Sequence, residues 1–226
     1  MPLTVKALLW QAGVWLLSIL ALFGPAGTLA WCPGWIFFAS FFGFVFWLSI
    51  WLTRHDPDLL NARLAILKAD QPGWDRVWVL SFYVLSLVWF ALMPVDAVRC
   101  RWSHMPGWII GFGLVLLMSA LVGIFLTIRA NRFLSPVVHL QHARGQVVIS
   151  SGPYGLVRHP LYSSASLFYL SVPLVLGSWF GLITAPVFIV LMAGRAIGEE
   201  KLLSQGLPGY RTYAKQVPWR FVPKLW

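Results

Sequence analysis

Long uncharged runs constrain this chain more than any other feature. Apolar stretches occupy residues 7–23, 34–52, 77–94 and 107–128, and a fifth covers 161–195. A helix that crosses a bilayer needs roughly 17–25 apolar residues. The fifth stretch is long enough for two shorter spans, broken at "LGSW", Leu176 to Trp179. The expected fold is therefore all-α, a polytopic transmembrane helix bundle of about six spans whose last two form a helical hairpin. Lys6 precedes the first run in the manner of a signal peptide. The bulky "LAWC" ending at Cys32 suits neither cleavage nor lipidation, so the run reads as a retained helix. Nothing resembles a repeat or a separate soluble domain, so 1–226 reads as one integral membrane domain.

Charge orients the bundle. Only 11% of residues are charged, against 59% hydrophobic, and soluble domains carry about 25% charged residues. With the N-terminus inside, fifteen of the seventeen Lys and Arg fall in inner loops or the tail, Lys6 and Lys68 among them. Only Arg99 and Arg101 fall outside. Basic loops stay on the cytoplasmic side, so both termini are expected there. The net charge of +10 then faces anionic membrane lipid and calls for no nucleic acid.

Motifs for several chemistries are missing from the sequence. There is no phosphate-binding glycine loop, no G-x-G-x-x-G and no serine elbow. His139 and His142 form an H-x-x-H pair without an acidic or thiol ligand at useful spacing, and read as interfacial histidines rather than a metal site. Cys32 and Cys100 both fall in expected outer loops, which leaves a disulfide between them open.

The stretch "SGPYGLVRHPLYSS", Ser151 to Ser164, interrupts this apolar chain with a turn, two cations and a helix start. A residue before proline is pushed out of the helical region, and proline favours a helix's first turn. His159 is thus a cap position, with a helix from Pro160. Tyr154, Arg158, His159 and Tyr162 cluster at its positive end, where an anionic group binds well. The chain's two glutamates, Glu199 and Glu200, follow the last apolar run and suit an ammonium. Arg195 lies one helical turn before Glu199, the spacing of an ordinary ion pair. Val147, Val148 and Ile149 could line an apolar slot. A ligand with both charges and an aromatic group is an amino-acid-bearing, nucleotide-like cofactor.

"GPYGLVRHPLY", "RAIGEEKLL" and "GYRTYAKQVPWRFVP" occur in a fixed order. Together they resemble the C-terminal half of the isoprenylcysteine carboxyl methyltransferase family, over roughly 131–226. The N-terminal four spans, 1–128, resemble it only in being helical, with "RHDPDLLNARL" as an inner amphipathic segment. The resemblance makes 129–226 a methyltransferase-like cofactor-binding half with a cytosolic pocket for S-adenosylmethionine. It implies cofactor contacts from Gln141, Gln146, Val147, Val148, Ile149, Tyr154, His159, Pro160, Leu161, Tyr162 and Glu199, to which the charge reading above adds Arg158 and Glu200. It gives Arg195 the catalytic role of positioning the acceptor carboxylate. The acceptor is expected to be lipophilic and to enter from the bilayer, like a prenylated cysteine or related isoprenoid, and the location to be a bacterial inner membrane. Methylation of a phospholipid amine or a small thiol, and NADPH-dependent reduction, are the alternatives. Gln146 and Ser164 depart from the family's usual histidine and glycine.

Overall fold

The computed structural model describes residues 3–64 and 71–226, with side chains from residue 11 onward and that of Leu9. Lys68 and the side chain of Lys6 therefore lie outside the described residues. Among the described residues there are eight α-helices: α1 (Leu3–Ala26), α2 (Cys32–His55), α3 (Pro57–Leu64), α4 (Gly73–Pro94), α5 (Gly107–Ala130), α6 (Pro160–Leu176), α7 (Trp179–Gly206) and α8 (Tyr210–Gln216). A π-helical turn, Val95–Arg99, extends α4, and no strand occurs among the described residues. Among the described residues four segments are long and apolar enough to cross a membrane: Cys32–His55, Gly73–Arg99, Gly107–Ala130 and Trp179–Gly206. Gln11–Ala26 and Pro160–Leu176 are shorter apolar helices.

The expected hairpin break is present and has a defined cause. Gly177 adopts the left-handed conformation, φ 78°, that glycine enters without a side-chain clash. Ser178 then caps α7 by accepting from the Gly181 N–H at 2.9 Å. The buried Asp96 pins this turn from the π-helical segment. Its Oδ2 accepts from Ser103 Oγ and Ser178 Oγ, both at 2.6 Å, and from the Phe180 N–H at 3.2 Å. The α7 N-terminus adds the favourable end of its dipole.

Helix α6 is the central element, packed along α5 with α7 on its other side. Its Val172, Val175 and Leu176 are fully buried. Small residues set the α5–α6 approach, as expected where close packing rather than the hydrophobic effect joins helices. A Cβ at Gly113 would lie 2.5 Å from Leu174 Cβ and 2.9 Å from the Val175 backbone N, and one at Gly123 would strike the Ser164 side chain. Ser164 therefore fits against a glycine of α5. Outward faces of α4, α5 and α7 carry exposed Val84, Val88, Val115, Val122, Ile183 and Val190, a surface suited to lipid tails.

Helix α7 continues to Gly206, past the end of the apolar run at residue 195. Arg195, Glu199 and Glu200 therefore share one rigid helix. The irregular segment 131–159 and the C-terminal tail fold over this end of the bundle. Backbone bonds from Arg158 N to Trp219 O and from His159 N to Arg220 O, both 2.9 Å, tie the two together.

Candidate active site

A cavity of about 260 Å³ opens beneath this cover. One wall is the segment from Phe133 to Ile149, another is the start of α6, and α7 and α8 supply the rest. The loop keeps its shape through amides. The Gln146 side-chain oxygen accepts from the Gln141 N–H at 2.8 Å, and the Gln141 side chain donates to the Phe133 carbonyl at 2.6 Å. Asn131 donates to Tyr154 Oη at 2.9 Å, and Tyr213 donates to the Tyr154 carbonyl at 2.8 Å. Burial raises the Tyr154 and Tyr210 phenols above their ordinary range and pushes Tyr213 up to about 12. All three stay protonated donors at neutral pH. Leu207, Tyr210 and Tyr213 pack against Leu140 and Val148, which docks α8 on the loop.

Charges at the cavity fall into two groups. Glu200 turns away from it and accepts from Arg158 Nε at 2.7 Å, Arg220 Nε at 3.0 Å and His159 Nε2 at 3.1 Å. Arg158 also donates to the carbonyls of Ala214, Val217 and Pro218 at 3.3, 2.8 and 2.8 Å. Glu199 faces the cavity, accepts from Tyr162 Oη at 3.0 Å and keeps 29% of its side chain exposed. Arg195 binds the fully buried Asp75, through Nε to Oδ1 at 2.8 Å and Nη2 to Oδ2 at 3.3 Å. Nη2 also donates to the Pro136 carbonyl at 2.7 Å, and the guanidinium lies 4.4 Å over the Trp78 ring. Among the described residues its Nη1 has no hydrogen-bond partner.

A second cavity, about 440 Å³ and mainly apolar, lies between α1, α2, α4 and α6. It shares Arg63, Pro136, Leu161, Tyr162 and Arg195 with the first. The shared wall joins a polar compartment to an apolar one. Among the described residues no group of three His, Cys, Asp or Glu gathers to hold a metal. Cys32 and Cys100 are both exposed and unpaired.

Residues 105–208 match the family model described as phospholipid methyltransferase. That match spans just under half of the chain and points to a membrane-embedded methyltransferase. The chain's fold is similar to that of a eukaryotic intramembrane Ras methyltransferase, an isoprenylcysteine carboxyl methyltransferase. That likeness has a TM-score of 0.50 at 13% identity, and covers 98% of this chain and 85% of the other. A sequence comparison with curated proteins gives no significant match. These findings agree with the isoprenylcysteine carboxyl methyltransferase resemblance carried by the sequence motifs.

Most of the residues the sequence singles out line the first cavity: Gln141, Gln146, Val147, Val148, Ile149, Tyr154, Arg158, His159, Leu161, Tyr162, Arg195 and Glu199. Pro160 and Glu200 do not. Pro160 is taken up in the first turn of α6, and Glu200 is consumed by three cationic partners. Three expectations are corrected. Arg195 pairs with Asp75, not with Glu199. His159 occupies the cap position, but its ring makes no cap bond and is drawn to Glu200. Arg158 is neutralised by Glu200 and saturated by carbonyls, so it offers no free cation for an anionic ligand. Asp75, Asn131, Tyr210 and Arg63 were not legible as site residues. An acidic residue opening an apolar helix was the one signal for Asp75.

Proposed function

We propose that this methyltransferase transfers the methyl group of S-adenosylmethionine to the carboxylate of a prenylcysteine-like acceptor drawn from the bilayer. The observation that carries this reading is the wall shared by the polar and apolar cavities, which suits a water-soluble donor meeting an apolar acceptor.

The residues present fit the donor. The Tyr210 hydroxyl is buried in the cavity region without a hydrogen-bond partner among the described residues, and buried polar groups seldom stay unpaired. Glu199 retains acceptor capacity toward the cavity, suited to an amino group or to hydroxyls. Val148, Leu203 and Leu207 offer an apolar surface for an adenine ring. When bound, S-adenosylmethionine supplies an electrophilic methyl group on a sulfonium. The chain's own contribution is to position and to exclude water. A carboxylate acceptor, with an ordinary pKa near about 4, is already ionised at neutral pH and needs no general base. The reaction then depends on alignment and desolvation. Arg195 Nη1 and Arg63 stand at the shared wall to hold the acceptor, and the Asp75 pair fixes the Arg195 fork.

Six membrane crossings, with both termini and the donor cavity on the cytoplasmic side of a bacterial inner membrane, complete the reading. The gathering of basic residues at the cavity end of the bundle supports it.

Equilibrium binding of tritiated S-adenosylmethionine to detergent-purified protein tests the donor assignment. The parent should bind it, and Glu199→Ala should weaken binding by about tenfold or more, the cost of one hydrogen bond to a charged group. Absence of binding, or binding of NADPH in its place, would overturn the reading.

A further inference from the structure

We propose that Arg63 is the residue that captures the acceptor's carboxylate and selects acids over neutral lipids. This rests on the methyltransferase reading above and names a recognition element outside the C-terminal motifs and the family match; Arg63 belongs to the amphipathic segment "RHDPDLLNARL" and lies outside residues 105–208.

Placement comes first. Asp56 accepts from the Leu59 N–H at 3.0 Å and starts α3, while Leu59 and Leu60 are buried beside Leu48, Leu52 and Ile128. This seats the short helix firmly, and its last turn carries Arg63 into the wall common to both cavities.

Charge comes second. A guanidinium has five N–H donors, and Arg63 uses one contact, Nη1 to the Leu134 carbonyl at 3.2 Å. Among the described residues no carboxylate lies within ion-pair distance of it. Arg195, its neighbour on the wall, is compensated by Asp75. Arg158 and Arg220 are compensated by Glu200. Arg63 is the cation at this junction whose charge the described protein leaves unanswered. Burial lowers its pKa, a sign that the surroundings do not favour its charge, yet arginine remains protonated. Arg63 is half-buried, so its charge is partly desolvated without a counter-ion among the described residues, an arrangement that a bound anion would relieve.

Shape comes third. The apolar cavity on one side of Arg63 is lined by Phe44, Leu48, Leu52, Phe82, Ile124 and Ile128, a slot for a hydrocarbon chain. The polar cavity on the other side is the donor compartment. A carboxylate paired with the Arg63 fork, with its tail in the apolar slot, has its oxygens at the boundary where transfer must occur. Carboxylates match the two-pronged guanidinium. An ammonium acceptor would instead meet two arginines at the same place.

The test compares two probes, S-farnesyl-N-acetylcysteine and its carboxamide, bound to the full-length protein with S-adenosylhomocysteine present. The parent should prefer the carboxylate by about tenfold or more. Arg63→Gln should abolish the preference, and Arg63→Lys should restore part of it, because charge returns without the fork. Affinity for S-adenosylmethionine should be unchanged in both variants. A preference that survives Arg63→Gln, a parent with no preference, or a loss of donor affinity in step would overturn the assignment. A parent that binds no S-adenosylmethionine would instead overturn the methyltransferase donor reading, so the two failures are distinguishable.

Discussion

Glu200→Ala is expected to destabilise the protein by about 3–5 kcal/mol, the range found when one partner of a buried ion pair is removed. Glu200 is 13% exposed and Arg158 7% at the side chain. Removing the carboxylate leaves Arg158, Arg220 and, when protonated, His159 facing one another without a counter-charge. These three belong to the loop before α6, the α6 cap and the C-terminal tail, while Glu200 belongs to α7. One residue therefore joins four segments around the site. Thermal unfolding in detergent would show a large fall in midpoint and early loss of the tail, detectable by proteolysis near residue 219. Glu200→Gln keeps hydrogen-bonding atoms and should fall between parent and alanine variant. A midpoint unchanged by Glu200→Ala would show that the tail is held by its backbone bonds and apolar contacts alone.

Arg195→Lys is expected to reduce turnover by about a hundredfold, the scale of a small misalignment of reacting groups, while S-adenosylmethionine affinity stays near that of the parent. A lysine keeps the charge for Asp75 but cannot reach Asp75, the Pro136 carbonyl and the acceptor with one planar fork. The Asp75 carboxylate would remain fixed by Gln71 at 2.7 Å and the Val138 N–H at 2.8 Å, so the donor loop should hold. Parallel measurement of donor affinity and single-turnover rate separates the two effects. If donor affinity falls with activity, Arg195 serves the donor or the loop, and the alignment role assigned to it fails.

Much of this architecture was legible because a bilayer leaves few options for long apolar runs. The "LGSW" break read as a hairpin turn, and Gly177 and Ser178 make it one. The loop and helix-start residues from Gln141 to Tyr162 were legible as one cluster because turn, proline and aromatic residues fall close together in sequence, and most of those singled out line the polar cavity. What escaped were pairings across long separations. Arg195 has Glu199 four residues away in sequence but bonds to Asp75, 120 positions distant, because α4 and α7 lie side by side. Glu199, Glu200 and Lys201 look like a helix leaving the membrane, whereas Tyr162, Arg158, His159 and Arg220 engage the two glutamates and let the helix continue. Arg63 carries no local signature, since its significance depends on two cavities that only the folded chain creates.

The central claim is the chemical identity of the acceptor atom, and the alkali-lability of the transferred methyl group tests it most directly. Purified protein in lipid nanodiscs would be given methyl-tritiated S-adenosylmethionine and S-farnesyl-N-acetylcysteine, and the product treated with base. Methyl esters release their label as volatile methanol, whereas methyl groups on nitrogen or sulfur stay attached. A carboxyl methyltransferase predicts that nearly all transferred label becomes volatile. Label that withstands alkali, or no transfer to this acid at all, would contradict the account.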